Sequence, residues 1–381
     1  MTQPTDSPAS LRRRRLVAAL PAAAWLTAST GLIADAASAA NAAANAAANA
    51  AANATANATA NATANATANA TTNAEPNDKT DPHLDLSQVR LRVATYKGGD
   101  ATLLKTAGLA DTPYTIDWSE FQSGNAMIEA MNGGSLDIAS GSEIPPIFAR
   151  LQNAQIRVIA VYKDDVNNQV VLVPKGSAIR SIADLKGKRV GYLRATTTHY
   201  YLLRMLEEAG LSFNDIQAAS LAPRDGFAAF NAGSLDAWAI YGYNVPLAIS
   251  QAGARVLKNA NGYLSGNYLY YGHPAALADP LRRAASADLL VRLQRACQWF
   301  ARHQDAYAKV LSAELRVPEA AILSLYRNQS QARCVTGVTA ADIASEQQVA
   351  DTFARAAVIE RHVDVAPMWT DTFNAALARG A

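Results

Sequence analysis

The sequence predicts an α/β protein of two similar lobes, whose mainly parallel sheets are covered by helices. Short apolar runs alternate with amphipathic helical stretches from about residue 89 onward, which is typical of strands joined by helical crossovers. The segment Asn-Gly-Gly-Ser-Leu-Asp at 132–137 recurs at 231–236 as Asn-Ala-Gly-Ser-Leu-Asp. The length of 381 residues also favours two domains or one two-lobed domain, and a hydrophobic content of 50% provides for a sizeable core.

Apolar runs of four to seven residues between turn residues predict the strands in chain order. These runs are Val89–Ala94, Tyr114–Trp118, Leu136–Ala139, Ile156–Tyr162, Gln169–Val173, Arg189–Tyr192, Gln217–Leu221, Ala237–Ile240, Ala254–Lys258 and Tyr268–Tyr271. Helical spacing covers Gly124–Met131 and Phe227–Phe230, and after about Ala275 the chain is predicted to be helical to its end. In each copy of the repeat, a glycine closes the helix and the leucine enters the core as the next strand begins.

The first 39 residues are typical of an export signal. Four arginines, Arg12–Arg15, precede a weakly apolar run, and Ala37-Ser38-Ala39 has the small residues that signal peptidase requires. The paired arginines favour twin-arginine export, with the general route and a membrane anchor as alternatives. We therefore predict a signal peptide at 1–39 and a mature protein in the periplasm.

Low-complexity repeats separate this signal from the folded part. Asn-Ala-Ala-Ala and Asn-Ala-Thr-Ala units cannot bury a core, so residues 40–82 are predicted to be a disordered linker. Because each lobe is expected to hold one copy of the repeat, we predict a first lobe at 83–173 and a second at 174–268. A return to the first lobe with C-terminal helices follows at 269–381. Two crossings between lobes make a hinge, and ligands bind in the cleft between them.

Composition narrows the possible functions. The chain has 34 Lys+Arg against 32 Asp+Glu, a balance that does not favour nucleic-acid binding. Two cysteines are too few for a disulfide scaffold or a cysteine-based zinc cluster, and the five histidines show no metal-ligand spacing. We therefore expect no metal and no cofactor. Whether Cys297 and Cys334 pair with each other stays open.

Six short segments occur in a fixed order over about 210 residues. They are Lys97-Gly98-Gly99, Trp118-Ser119-Glu120-Phe121, Gly141-Ser142-Glu143-Ile144-Pro145-Pro146, Asp184-Leu185-Lys186-Gly187-Lys188, Leu221-Ala222-Pro223-Arg224-Asp225 and Asp236-Ala237-Trp238-Ala239. Because of these six segments, residues 89–300 resemble the substrate-binding proteins of ABC importers for aliphatic sulfonates, taurine and nitrate-type anions. The resemblance is closest to the aliphatic-sulfonate branch.

The resemblance implies a periplasmic-binding-protein fold of the second topological type, with two hinge crossovers. It also implies a monomer that captures an organosulfonate and delivers it to a membrane permease with its ATPase, without catalysis. The alternatives are a taurine- or nitrate-binding protein, an enzyme such as a pyrimidine-precursor synthase on the same fold, and a sensory ligand-binding domain.

The chemistry of a sulfonate agrees with the glycine-rich loops of this chain. A sulfonate stays ionised and offers only acceptor oxygens, so its site needs backbone N–H groups, hydroxyls and helix N-termini. Three loops at strand ends can supply these donors: Lys97-Gly98-Gly99-Asp100, Gly141-Ser142 and Arg194–His199. The third loop opens the helix that contains Tyr201–Glu208. The family's stretch resembles Gly-Ser-Ser-Ala-His, so a glycine is replaced at Ala195, and Gly99 stands where serine is more usual.

Several candidate site residues have a structural alternative. The threonines either contact the ligand, which we favour, or only cap their helix, and His199 is either a ligand contact or a structural histidine. Glu143 would repel a permanent anion, so it holds a ligand amine or, as we favour, caps the next helix. Trp238 forms the cleft wall, which we favour, or packs in the second sheet. The full set of candidate ligand-binding residues is Lys97, Gly98, Gly99, Gly141, Ser142, Glu143, Thr196, Thr197, Thr198, His199, Asp225, Trp238 and Tyr241.

Tyrosines concentrate in the predicted second lobe and its return strand. Nine of the 14 tyrosines lie within 192–271. Each combines a flat apolar face with a hydroxyl, so an aromatic cleft wide enough for a bulky organosulfonate is predicted, with ordinary core aromatics as the alternative. Binding is expected to close the hinge, with donors of one lobe completing a cage around an anion that has docked on the other.

Overall fold

The computed structural model describes residues 84–380, so the predicted signal peptide and linker lie outside the described residues. Eleven strands and twelve α-helices occur in this part of the chain. The strands are β1 Arg90–Thr95, β2 Thr115–Glu120, β3 Ile138–Ser142, β4 Arg157–Lys163, β5 Gln169–Val173, β6 Arg189–Tyr192, β7 Gln217–Ser220, β8 Ala237–Tyr241, β9 Arg255–Asn259, β10 Asn267–Gly272 and β11 Cys334–Thr336. The helices are α1 Asp100–Thr106, α2 Gly124–Asn132, α3 Pro145–Leu151, α4 Thr197–Glu208, α5 Pro223–Asn231, α6 Asn244–Ala252, α7 Pro274–Ala278, α8 Pro280–Arg302, α9 Gln304–Leu315, α10 Glu319–Arg327, α11 Ala340–Arg355 and α12 Asn374–Gly380.

The strands form two sheets, one in each lobe. The first has the order β11-β4-β10-β3-β1-β2, and the second has the order β7-β6-β8-β5-β9. The chain passes from the first sheet to the second between β4 and β5 and returns between β9 and β10. The predicted two-lobed α/β architecture with two crossovers is therefore confirmed.

The direction of the strands differs in part from the prediction of mainly parallel sheets. Strands β1, β2 and β3 are parallel to one another, as are β6, β7 and β8. Strands β5, β9, β10 and β11 pair antiparallel to their neighbours. Each sheet is mixed because the strand that follows a crossing, β5 in the second sheet and β10 in the first, runs antiparallel to both of its neighbours.

The first crossing comes earlier than the predicted boundary near residue 174. Strand β5 was expected in the first lobe, but it lies between β8 and β9 in the second sheet, so residues 164–168 form the crossing. The turn signal Pro174-Lys175-Gly176 ends β5 and does not mark a change of lobe. The second crossing is formed by residues 260–266.

One strand of the C-terminal part was missed. Residues after Ala275 were predicted to be helical throughout, yet β11 adds to the edge of the first sheet, antiparallel to β4. A strand of three residues is too short to show a period in the sequence.

Each sheet is covered on both faces. In β5, Val170 and Leu172 belong to one apolar cluster and Val171 and Val173 to another, because successive side chains of a strand point to opposite faces. All five residues of β5 are buried, as is typical of a central strand in a covered sheet.

The repeated segment closes a helix onto a strand in the first lobe through an ion pair. The backbone N–H and Nε of Arg92 in β1 donate to Asp137 Oδ2 at 2.9 and 3.1 Å, and Nη2 donates to Oδ1 at 2.6 Å. The same guanidinium donates to the carbonyl oxygen of Gly134, which has a φ of +74°. We call this arrangement of arginine, aspartate and glycine the clasp.

The second lobe holds the same clasp. Arg189 in β6 donates its backbone N–H and Nε to Asp236 Oδ2 at 2.8 and 3.1 Å, and its Nη2 to Oδ1 at 2.8 Å. Its Nη2 also donates to the carbonyl oxygen of Gly233, whose φ is +71°. One copy of the repeat thus lies in each lobe, as the sequence predicted.

Candidate ligand-binding site

A cavity of about 550 Å³ lies between the two lobes. Its wall includes the loop after β1, the end of β3, the first crossing, the starts of α4, α5 and α6, and the C-terminal segment around α10. Its volume lies within the range of pockets that bury small organic molecules, roughly 300–1,000 Å³. The predicted interlobe cleft is therefore present.

Eight of the thirteen predicted site residues line this cavity. They are Lys97, Gly98, Gly99, Gly141, Ser142, Thr196, Thr197 and Tyr241. The five predicted residues outside the lining are Glu143, Thr198, His199, Asp225 and Trp238.

Glycine permits the close packing of β3 at the cavity floor. A Cβ on Gly141 would lie 3.0 Å from the hydroxyl oxygen of Tyr271, and that hydroxyl donates to the carbonyl oxygen of Ser142 at 2.6 Å. Gly98 adopts a φ of +68°, and its N–H donates to Glu314 Oε1 at 2.9 Å. Both glycines are required by local geometry, so the loops predicted from them form as expected.

The threonine loop opens α4 at the cavity wall. Thr197 Oγ1 donates to Gln169 Oε1 at 2.7 Å, and Thr196 Oγ1 donates to the carbonyl oxygen of Leu193 at 2.7 Å. The backbone N–H of Thr197, the first residue of this twelve-residue helix, has no partner among the described residues. The hydroxyls are thus engaged by the protein, while a free helix N–H is available to a ligand.

Thr198 has a local role. Its Oγ1 accepts from the N–H of Leu193 at 2.9 Å and contacts the carbonyl oxygen of the same residue at 3.1 Å. It is fully buried and outside the cavity lining. The Thr198 side chain therefore fastens the start of α4 to the preceding turn, and it matches neither the favoured ligand contact nor the capping alternative, because α4 has no side-chain cap.

Ala195 occupies a backbone conformation that favours glycine. Its φ is +59°, in the left-handed region that L-residues with a Cβ enter only at a cost. The position is the one at which the family pattern has a glycine. The methyl group of Ala195 is therefore held in a conformation that glycine would adopt without strain.

His199 lies in an aromatic cluster outside the cavity. Its ring is about 5 Å from those of Tyr192, Phe213 and Phe353, and its Nδ1 accepts from the N–H of Ala195 at 3.3 Å. Burial lowers the pKa of His199 to about 4, so the ring is neutral at physiological pH. The structural alternative for this histidine agrees with its position.

Glu143 is buried beside the second crossing and outside the cavity lining. Its carboxylate accepts from the hydroxyls of Ser265 at 2.6 Å and Ser345 at 2.9 Å. It does not cap α3, whose N-cap residue is Ile144 and which has no side-chain cap, so the favoured capping role was wrong. Burial raises the pKa of Glu143 to about 7, against the opposing effect of the two hydroxyls.

Trp238 and Asp225 do not form the cleft wall. The Trp238 ring is fully buried against Phe227 and Phe230, with ring centroids 6.2 and 5.8 Å away, so the alternative of packing at the second sheet is correct. Asp225 is exposed in the first turn of α5. The preceding residue Arg224 lines the cavity in its place.

The aromatic part of the wall comes from both lobes. Three of the nine tyrosines within 192–271 line the cavity, and three tyrosines from elsewhere in the chain join them. The six are Tyr96, Tyr162, Tyr241, Tyr243, Tyr268 and Tyr326. The other six of the nine lie outside the lining, where they follow the alternative of core aromatics.

Charged residues at the first crossing are site features that the sequence did not reveal. Asp164 pairs with Arg333 at 2.8 Å and accepts from the hydroxyl of Tyr162 at 2.5 Å. Arg333 also lies over the rings of Tyr162 and Phe300, 5.4 and 4.8 Å from their centroids. Asp164 and Arg333 are separated by 169 positions in the chain, so no local pattern connects them.

The two lobes are in contact beside the cavity, and hydrogen bonds link them there in addition to the packing of His199 and Tyr200 against Phe353. The hydroxyls of Tyr243, which precedes α6, and Tyr326 in α10 are 2.9 Å apart. Asn125 Nδ2 in α2 donates to the carbonyl oxygen of Arg194 at 3.1 Å. These contacts cross the cleft, as expected for a closed arrangement of the lobes.

The described residues contain no metal-ligand cluster, no membrane-spanning helix and no disulfide. Residues 84–380 contain no group of three or more His, Cys, Asp or Glu that could hold a metal ion. Over the same residues, no helix combines the length and apolar character needed to cross a membrane. Cys297 and Cys334 are both free thiols, and neither lines the cavity.

Comparison with known proteins supports this architecture. Residues 116–263 match the family model described as NMT1/THI5 like. The chain is 34% identical over 286 residues to the aliphatic sulfonates-binding protein of Escherichia coli (strain K12), covering 72% of this chain and 86% of that protein.

Solved structures show the same fold. The periplasmic aliphatic sulphonate binding protein SsuA from Escherichia coli superposes with a TM-score of 0.64 at 31% identity, covering 72% of this chain and 90% of that chain. The alkanesulfonate-binding protein SsuA from Xanthomonas axonopodis pv. citri bound to MOPS has a TM-score of 0.68 at 29% identity, covering 74% and 98%. The desulfurization enzyme DSZB shares the fold alone, at 15% identity and a TM-score of 0.55.

Two lobes, two crossings and a donor-lined cavity between them define a solute-binding protein of the periplasmic-binding class. Within that class, the chain belongs to the family of the aliphatic sulfonates-binding proteins.

Proposed function

We propose that this protein captures an organosulfonate in the interlobe cavity and delivers it unaltered to an ABC permease and its ATPase. The observation that carries the proposal is the free N–H of Thr197 at the start of α4, in the wall of a cavity shared by both lobes. A helix N-terminus combines free N–H donors with a positive partial charge, which suits an oxyanion that has no proton to donate.

The rest of the wall supports an organic ligand over an inorganic anion. The cavity exceeds what nitrate or sulfate would fill, and much of its lining is aromatic or aliphatic, including Phe121, Phe227 and Leu247. Such surface favours a carbon-bearing tail because burying apolar area is favourable, at about 25 cal/mol per Å².

Binding without catalysis is supported by the residues that line the cavity. Neither cysteine and no histidine within 84–380 belongs to the lining, so a thiol nucleophile and an imidazole general base are not found there. Export by the residue 1–39 signal, a monomeric state and docking of the closed form on the permease complete the proposal. Taurine is the second ligand candidate.

Calorimetry with a graded panel of ligands tests the proposal. The panel runs from taurine through alkanesulfonates to an aryl sulfonate, with nitrate and sulfate as controls. We expect the organosulfonates to bind and the inorganic anions to bind weakly or not at all. Binding of only nitrate or sulfate, or chemical conversion of a bound sulfonate, would contradict it.

A pair of variants at one position isolates the contribution of the helix N–H. Thr197→Pro removes the N–H and the hydroxyl, and proline is tolerated here because this is the first position of the helix and Thr196 is extended, with φ −132° and ψ 180°. Thr197→Val removes only the hydroxyl. We expect the proline variant to bind a sulfonate roughly 10-fold or more weakly than the valine variant, since hydrogen bonds to charged groups contribute about 1.5–3 kcal/mol. Equal affinities would remove this N–H from the site.

A further inference from the structure

The inner part of the cavity carries more negative than positive charge. Lys97, Glu120 and Arg224 are exposed at its mouth. Farther in, three carboxyl groups and one guanidinium line the wall, and they are half-buried or buried: Asp100, Asp164, Asp165 and Arg333. A bare monoanion enclosed among these groups would add to an existing surplus of negative charge.

Two of the three carboxylates are compensated within the chain. Asp165 accepts from the N–H groups of Asn167, Asn168 and Ser330 and from the hydroxyl of Ser330, at 2.7–3.2 Å. Asp164 forms the ion pair with Arg333 described above. These interactions hold the first crossing to the C-terminal segment and account for both charges.

Asp100 is different because its partner within the chain is a single neutral donor. Its Oδ2 accepts from the hydroxyl of Tyr270 at 3.1 Å, and no cation within the described residues forms an ion pair with it. The nearest guanidinium, that of Arg333, is already paired with Asp164. Asp100 therefore offers the cavity a carboxylate oxygen that the chain leaves without a counterion.

Unpartnered buried atoms occur in the same wall. Asp164 Oδ1, Asn168 Oδ1 and Arg333 Nε have no hydrogen-bond partner in residues 84–380, and the Asp164 residue is only 8% exposed. All three residues line the cavity together with Asp100. Because buried polar atoms are normally satisfied, the two oxygens call for a donor and the Arg333 N–H for an acceptor, and a ligand that carries groups of both kinds can supply them.

We propose that the ligand is zwitterionic, with a protonated amine that binds Asp100 of the first lobe and a sulfonate held by the free N–H of Thr197 in the second lobe. This inference rests on the proposed function and names the substrate class more narrowly: sulfonates whose tail carries a protonated nitrogen. A ligand with one charge of each sign adds no net charge when the lobes close around it.

The acidity of Asp100 gives the proposal a pH signature. Burial raises the pKa of Asp100 to about 6, against the lowering effect of the Tyr270 hydrogen bond. Above this pH the carboxylate is ionised and attracts an amine, whereas binding of a sulfonate with an uncharged tail favours the protonated form. The titratable and charged groups that face Asp100 from the elements around it are Tyr96, Asp164, Tyr270, Cys297, Tyr307 and Arg333, with Glu314 bonded to the adjacent Gly98.

The test compares two sulfonates of nearly equal shape by calorimetry on the full chain. They are 3-aminopropane-1-sulfonate and butane-1-sulfonate, in which an ammonium replaces a methyl group. At pH 7.5 we expect the amine to bind at least tenfold more tightly. On lowering the pH to 5 its affinity falls, while that of butane-1-sulfonate rises because Asp100 becomes protonated.

Variants locate the effect. Asp100→Asn is expected to remove the preference for the amine and its pH dependence, whereas Asp117→Asn, an exposed carboxylate of β2 outside the cavity, leaves both unchanged. Thermal unfolding checks that the Asp100→Asn variant folds, and the pH profile of the unaltered protein tests the proposal independently of it.

Three outcomes would overturn the inference. The first is equal affinity for the two sulfonates with the same pH dependence, which leaves sulfonate binding itself intact. The second is a preference for 3-sulfopropanoate, whose carboxylate would instead point to the Arg333 side of the wall. The third is the absence of binding by any sulfonate, which would refute the proposed function as well.

Discussion

Removing one hydroxyl from the Tyr243–Tyr326 pair is expected to weaken ligand binding by disfavouring closure of the lobes. The two hydroxyl oxygens are 2.9 Å apart and belong to different lobes. A neutral hydrogen bond contributes about 0.5–1.5 kcal/mol net. This bond exists only when the lobes meet, so its loss makes the free energy of closure less favourable by that amount. The Kd is therefore expected to rise about two- to thirteenfold.

A double-mutant cycle separates this effect from any contact of either ring with the ligand. Tyr243→Phe and Tyr326→Phe each break the same bond, so we expect the double variant to bind no more weakly than either single variant. Affinities are measured by calorimetry with one organosulfonate. Tyr114→Phe is the matched control, because its hydroxyl donates to Asp288 at 2.9 Å within the first lobe and away from the cavity. Additive losses in the double variant, or an equal loss in the control, would refute the reasoning.

Three further predictions concern stability, each measured by urea unfolding. Asp137→Asn is expected to cost about 3 kcal/mol and Asp236→Asn about 1 kcal/mol, because the first side chain is 1% and the second 31% exposed; equal losses would contradict this. Burial favours a higher pKa for Asp137, but hydrogen bonds from Arg92 outweigh it and the pKa is lowered, so its stabilisation is present at neutral pH and is lost as the pH falls through that lowered value. Ala195→Gly is expected to stabilise the protein by about 1 kcal/mol by relieving its positive φ, and a loss of stability would argue against strain at this site. Glu143→Gln is expected to stabilise the protein at pH 8 by up to about 3 kcal/mol and to have little effect below pH 4, because burial raises the pKa of Glu143 to about 7 and the ionised form disfavours folding; an unchanged difference between the two pH values would exclude this.

Elements set by local pattern were predicted well from the sequence. Strands β5 and β6 have the predicted bounds, and the repeat correctly indicated one similar unit in each lobe. The aspartate of each repeat copy forms a clasp with an arginine. These arginines are 45 and 47 positions away in the sequence, and they were not predicted. Glycine loops at strand ends were also predicted, because the need for a positive φ or a close approach is a local property.

The rest of the site depends on contacts between distant parts of the chain. The glycines and threonines that line the cavity stand at strand ends and a helix start, where their sequence context is informative. Glu143 and His199 stand next to them in sequence, yet their side chains point into other surroundings, which the one-dimensional pattern does not encode. Asp164 and Arg333 meet only because β11 pairs with β4, and that three-residue strand was not predicted.

The two clasps have a consequence for how the lobes move relative to each other while each keeps its own structure. Each fastens the end of a helix to a strand by several charge-assisted bonds entirely inside its own half, so neither has to break when the halves swing. Between β1 and β10 the backbone passes from one lobe to the other only at the two crossings, residues 164–168 and 260–266, so a hinge motion has to bend the chain there. Substitutions that stiffen these crossings should alter the rates of ligand association and dissociation while leaving each lobe as rigid as before.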